Sequence, residues 1–291
     1  MEFSLLRLVV YLVLATVSLL VPFQIFALYL EAHYPMPLVR GIYYFTLTPY
    51  VGFAAGILSA LVYYGMVAVV ERRPVSELRG PRPIQALLAG LLLGVGLMAA
   101  DCGILALLRS LSFGEPPPPL SLSLLHSAMR AAGAAVVEEV IFRGILFRLL
   151  QQGFGTGVAL ALSSLLFGLL HRATADGSVS LAGTLSIAIE AGLPLAMAYT
   201  ATQRLWLPIG LHFGWDLAFG QLFGQPGTGL LVLSGDASGF AVLTLSALPN
   251  VALAAYFGWK TWLKGLWHPA VLRLRLASGR PQNPDEPERQ G

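Results

Sequence analysis

Runs of roughly 20 apolar residues follow one another along almost the whole chain, separated by short polar or proline-bearing segments. Roughly 20 residues is the length an α-helix needs to cross a hydrocarbon core ~30 Å thick. Inside that core the backbone must satisfy its own hydrogen bonds, so runs of this kind fold as helices. The pattern predicts an all-α polytopic membrane protein of about eight transmembrane helices around a polar intramembrane cavity. The spans fall at 6–30, 42–70, 84–108, 121–150, 155–171, 180–203, 206–223 and 238–263. Charged residues make up 11% of the 291, against about 25% in soluble domains.

The first apolar run, Leu8–Leu30, exceeds the ~7–15 residues of a signal-peptide core and lacks a small-residue cleavage site, so it reads as a retained span. Four prolines in EPPPPL, residues 115–120, make a stiff extended connector. The polar, proline-rich residues 265–291 read as a disordered tail. The chain divides into helices 1–3 (1–120), a polar-bearing core (121–225), a last helix (226–264) and the tail. Arg72, Arg73, Arg79 and Arg82 crowd the loop after the second span, and Lys264, Arg273, Arg275, Arg280 and Arg289 follow the eighth. Positive loops stay cytoplasmic, which predicts a multi-pass protein with both termini in the cytoplasm. The net charge of +3 suits anionic lipid headgroups, and no nucleic-acid motif competes for it. Membrane lipids are the expected surroundings, and no nucleic acid is expected as a partner. The single cysteine, Cys102, excludes an intrachain disulfide and a multi-cysteine metal site.

Ionisable groups inside membrane spans are costly and point to function. Here they concentrate in the second half of the chain. The fourth span holds VVEEVIFRG, residues 136–144; the fifth ends FGLLH, Phe167 to His171; the seventh holds HFGWD, His212 to Asp216. Glu139 and Arg143 stand four apart on one helix face and are expected to pair. Glu138, rotated ~100° from Glu139, is left free for chemistry. A turn near residue 154 places Glu138 and His171 at nearly the same depth of an antiparallel hairpin, where they can activate a water between them. His212, ~9 Å from the start of its own span at Trp206, comes out shallower than that level. Either Pro194 and Pro208 break this region and submerge its turn, or the boundaries differ. Asp216, four residues on, is expected to orient His212. His126, Asp101 and Glu190 read as a cap, a helix contact and a pore-facing acid, and Cys102 as packing.

EEVIFR, FGLLH and HFGWD, in this order, resemble the three motifs EExxxR, FxxxH and Hxxx(N/D) of the CAAX prenyl protease and bacteriocin-processing family, also called the abortive-infection family. The resemblance covers roughly residues 120–225. It implies an intramembrane endopeptidase that acts on a membrane-anchored or lipidated peptide or protein. It also implies Glu138 as general base, Glu139 and Arg143 as its supporting pair, and His171, supported by Phe167, as the group that orients the water. His212 and Asp216 would face the oxyanion. Where the family pattern allows asparagine, this chain has Asp216, which donates a hydrogen bond only when protonated. Two histidines and the carboxylates supply zinc's ligand types, so zinc is a possible cofactor. The absence of HExxH and the presence of Arg143 favour a mechanism with no cofactor and no metal ligands. A catalytically silent scaffold or immunity protein remains as a rival. So does a transporter, although the inverted repeats common in transporters are not found.

Overall fold

Helices in an apolar surround gain little from hydrophobic burial, so their packing depends on close contact at small residues and on polar groups between them. Both devices organise the computed structural model of this chain, which describes residues 9–11, 13, 49–108, 111–113, 120–174, 180–222, 231–233 and 245–269. The described residues are almost entirely helical. Helix α1 spans Pro49–Gly65, α2 Pro83–Leu107, α3 Leu120–Glu139, α4 Arg148–Thr174, α5 Leu181–Ile187, α6 Leu193–Thr202, α7 Trp206–Leu222 and α8 Leu248–Leu263. Wider π-helical segments at Met66–Val70, Val140–Phe147 and Ala188–Gly192 continue α1, α3 and α5. Among the described residues there is also one antiparallel pairing, β1 (Leu111–Phe113) with β2 (Leu231–Leu233), which the sequence reading does not anticipate.

Among the described residues, four stretches are long and apolar enough to cross a membrane: Gly52–Val70, Pro83–Leu107, Leu124–Arg172 and Leu181–Thr202. The protein is an integral membrane protein. The 49-residue stretch Leu124–Arg172 contains the expected fourth and fifth spans. It is interrupted at Gly155, where φ 83° and ψ 170° leave helical geometry. Only glycine adopts that conformation without strain, and there the chain doubles back. The turn expected near residue 154 is therefore found one residue on. The expected seventh and eighth spans appear as helices of 17 and 16 residues. The first expected span lies outside the described residues except for 9–11 and 13, as do residues 270–291 of the tail.

A glycine seam seats α7, the helix that carries His212 and Asp216. Gly90 and Gly94 of α2 face Gly210 and Gly214 of α7. A Cβ at any of the four would run into the opposing backbone, at Leu207 and Leu211 on one side and at Leu87 and Leu91 on the other. His212 lies between the two glycines of its own helix, so the seam sets its position along α2. Gly214→Ala is expected to cost about 1–3 kcal/mol, the usual penalty of overpacking, and to displace His212. Thermal unfolding of the purified protein, read beside activity, measures both effects.

A four-charge network holds the segment after α1 against the bundle. Arg148 grips Glu71 through two hydrogen bonds of 2.6 and 3.1 Å. Arg73 bonds Glu71 at 2.6 Å and Glu77 at 2.7 Å. Arg73 is thus an interior partner as well as a loop charge. Burial alone would raise the Glu71 carboxyl, but the hydrogen bonds and charges of Arg148 and Arg73 prevail and hold it below its ordinary value. A depressed carboxyl stabilises the fold above its unfolded-state pKa, and that stability is lost as pH falls through the lower folded value. The melting temperature of the wild type is therefore expected to fall as pH drops below the usual carboxylate range. Glu71→Gln, already weakened at neutral pH, should show a shallower decline. Equal acid sensitivity in the two proteins would contradict this role.

The same segment roofs the turn between α6 and α7. Glu77 accepts from Leu205 N at 2.9 Å through its backbone carbonyl, and the Trp206 indole donates to Leu78 O at 3.0 Å. The Arg204 guanidinium donates to the Arg79 carbonyl. Helix α7 begins at Trp206 as expected, yet its first turn is not an outer edge: Leu205 and Ile209 are buried. Neither proline breaks a helix. Pro208 lies in the first turn of α7, where its missing N–H is harmless. Pro194 enters α6 directly after a π-helical segment.

Candidate functional site

Glu138 and Glu139 end α3 at the point where the helix widens into its π-helical continuation, a geometry that recurs at functional sites. The two carboxylates diverge as their ~100° offset requires. Glu139 Oε1 accepts from Arg143 Nη1 at 2.7 Å and from His212 Nδ1 at 2.9 Å. Glu139 and Arg143 are 0% and 1% exposed, so the pair expected from spacing is formed and fully desolvated. Arg143 Nη2 donates to Gly192 O at 3.0 Å, at the end of the π-helical segment before α6. Its guanidinium also lies over the Phe167 ring, 4.7 Å from the centroid. That contact gives Phe167 a physical role: its ring carries the cation of the first motif while its backbone serves the histidine of its own.

His171 directs Nδ1 at the Phe167 carbonyl, 2.9 Å away. A carbonyl only accepts, so Nδ1 bears the proton and Nε2 of the neutral ring presents a lone pair. That Nε2 stands 3.8 Å from Glu138 Oε2. The separation is too long for a direct hydrogen bond. The hairpin arithmetic therefore brings Glu138 and His171 together. Glu138 Oε2 has no hydrogen-bond partner among the described residues. Glu138 and His171 side chains retain 22% and 34% of their exposure, although Oε2 itself is buried.

His212 also reaches this level, contrary to the depth count. Its Nε2 stands 3.9 Å from Glu138 Oε2 and 3.4 Å from Asp216 Oδ2. The count failed because it measured depth from the start of α7 as though that start were a free edge. The chain is roofed there, and the seam with α2 sets the height. The orienting partner differs as well. Glu139, at 2.9 Å on Nδ1, fixes the ring more tightly than Asp216, which approaches the other nitrogen. The doublet of glutamates carried this signal in the sequence, but the HxxxD spacing pointed to Asp216 instead.

Among the other residues singled out, Asp101 is the helix contact expected of it, bridging to Asn250 of α8 at 3.1 Å through both oxygens. His126 is not a cap: it lies inside α3 and bonds the Tyr50 hydroxyl of α1 at 3.2 Å. Glu190 lines a pocket beside His212. Cys102 packs near Met98, Sγ to Sδ 4.0 Å.

Zinc needs three or four N, O or S donors at about 2.0–2.3 Å. Among the described residues no group of three or more His, Cys, Asp or Glu is arranged to supply them. Each imidazole gives Nδ1 to an oxygen of the protein, which turns Nε2 toward Glu138 and is an arrangement that metal-bound histidines also adopt, while Arg143 places a fixed cation beside Glu139.

The family model described as Type II CAAX prenyl endopeptidase Rce1-like matches residues 120–218, which include all three motifs. No curated protein and no solved structure matches the chain. The segment bearing the paired glutamates and both histidines is thus similar to the Rce1-like type II CAAX prenyl endopeptidase family.

Proposed function

We propose that the protein is an intramembrane endopeptidase of the glutamate type, hydrolysing a peptide bond in a membrane-anchored or lipidated substrate. The observation that carries this reading is the unpartnered Glu138 Oε2 between His171 Nε2 and His212 Nε2. Glu138 takes a proton from a water that also bonds the His171 lone pair. The water oxygen attacks the scissile carbonyl carbon. The oxygen of the tetrahedral intermediate takes a hydrogen bond from His212 Nε2, which requires the doubly protonated ring because Nδ1–H is already given to Glu139. Asp216 faces that Nε2–H in the resting site and yields it to the oxyanion. Collapse breaks the C–N bond, and Glu138 returns the proton to the departing amine. The π-stacked Arg143 and Glu139 hold the imidazole and take no part in proton transfer.

A chain of multiple spans with both termini in the cytoplasm, eight spans in all, is part of the same proposal. Cysteine accessibility at residues of the 71–82 loop and of the tail tests it: both should react from the cytoplasmic side.

The activity test uses the full chain in vesicles with membrane-inserted peptides, some prenylated and some not. Cleavage that persists in strong chelators is expected. Loss on chelation, restored by zinc, would overturn the cofactor-free mechanism. Absence of cleavage together with solute flux through the vesicles would favour a transporter instead.

A further inference from the structure

One end of the bundle gathers positive charge. It is closed by the 71–82 segment, by the α6–α7 turn that this segment roofs, and by the chain that follows α8. Arg72, Arg79, Arg82, Arg204, Lys260 and Lys264 all lie there. The acids described at this end are Glu71 and Glu77, both buried and both engaged by Arg73 and Arg148. Among the described residues no carboxylate pairs with any of the six outer cations. The interior network has therefore consumed the acids and left the rim basic.

The neighbouring side chains set the level of that rim. Val70, Ile84 and Leu263 are exposed apolar residues next to Arg72, Arg82 and Lys264 in the chain. Tyr256, Trp259, Trp262 and Trp267 are exposed on α8 and just beyond it, and such rings collect where a bilayer meets water. Lys260 Nζ lies over two of them, 5.6 Å from the Tyr256 centroid and 5.5 Å from that of Trp259. The cations thus stand at the depth of lipid headgroups.

Two of them sit at a joint. The Arg204 guanidinium donates to the Arg79 carbonyl, and Arg79 Nη2 donates to the Tyr64 hydroxyl at 3.1 Å. Roof and turn therefore meet with a guanidinium on each side, and each keeps further N–H donors, since a guanidinium has five.

We propose that this end is a docking surface for anionic phospholipid headgroups, with a phosphate bridging Arg79 and Arg204 and fastening the roof to the turn that starts α7. Charge complementarity calls for an anion, and the apolar and aromatic side chains at the same level make it a lipid. Because α7 carries His212, the bound lipid also steadies the hydrolytic site, a consequence that rests on the peptidase reading above.

Two measurements on the full chain test the surface. In the first, thermal unfolding is followed in detergent micelles mixed with phosphatidylglycerol or with phosphatidylcholine, and with inorganic phosphate alone. A ligand that binds only the folded protein raises its melting temperature. The wild type should be stabilised by phosphatidylglycerol alone, and the shift should shrink at about 1 M salt, where the screening length is about 3 Å. Arg79→Gln with Arg204→Gln should lose the shift, and Arg79→Lys with Arg204→Lys should keep most of it. Equal shifts with the two lipids, a shift indifferent to salt, or an undiminished shift in the glutamine variant would overturn the surface. An equal shift with inorganic phosphate would overturn the lipid assignment. In the second, cleavage of a neutral membrane-inserted peptide is compared in vesicles of phosphatidylcholine with and without phosphatidylglycerol. The wild type should gain about fivefold or more from the anionic lipid, the low end of usual coupling between sites. The glutamine variant should keep the slower rate in both. Equal wild-type rates in the two vesicles would overturn the effect of the lipid on the site. A melting shift specific to phosphatidylglycerol, with no peptide cleaved in either vesicle, would uphold the lipid surface and overturn the peptidase reading.

Discussion

Replacing Glu138 by glutamine is expected to slow peptide cleavage about 10²–10⁴-fold, the usual contribution of a positioned general base. The change keeps the shape of the side chain but removes its ability to accept a proton from water. Stability should change little. Glu138 Oε2 makes no hydrogen bond among the described residues, so removing its charge loses only the long contacts of 3.8 and 3.9 Å with His171 and His212 and relieves some desolvation. Purified wild type and Glu138→Gln should therefore unfold at similar temperatures and differ in rate alone. Equal cleavage rates would end the glutamate mechanism.

The second large effect falls on the neighbouring residue and has the opposite character. Glu139→Gln removes the charge that neutralises Arg143 and anchors His212. The arginine is 1% exposed; with Glu139 gone it keeps the Gly192 carbonyl and the Phe167 ring but no counter-ion on Nη1. Breaking a buried pair from one side costs about 3–5 kcal/mol, which should appear as poor expression and a much lower melting temperature. Replacing both partners, Glu139→Gln with Arg143→Met, removes the stranded cation and is expected to recover most of that stability. Activity should stay low in the double variant, because the Nδ1 proton of His212 no longer meets a carboxylate. Recovery of stability and activity together would show that the pair is a clamp with no part in orienting the histidine.

The sequence made the helices and the local pairings legible because both are short-range. Apolar length fixes the helices, i,i+4 spacing pairs Glu139 with Arg143, and counting outward from a glycine-rich turn brings Glu138 to His171. What it left out depends on how separate helices lean on one another. The height of His212 is set by Gly90 and Gly94 meeting Gly210 and Gly214, and by the segment that roofs the α6–α7 turn. The two small-xxx-small patterns were there to be read, but nothing local pairs one with the other. The same limit hid the grip of Glu139 on His212, 73 residues apart, and the bond from Asn250 to Asp101, 149 residues apart. Arg73 reads as an ordinary loop charge, because its partners Glu71 and Glu77 serve the interior only in three dimensions. The π-helical widening after Glu139 has no signature in local propensity at all.

The measurement that bears most directly on the central claim compares the peptide termini of membrane proteins in cells carrying the wild type and in cells carrying Glu138→Gln at equal protein level. A water activated by Glu138 predicts a defined set of termini that the wild type generates and the variant does not. Identical termini in the two, with the wild type folded and in the membrane, would contradict the claim that this cluster of carboxylates and imidazoles hydrolyses peptide bonds.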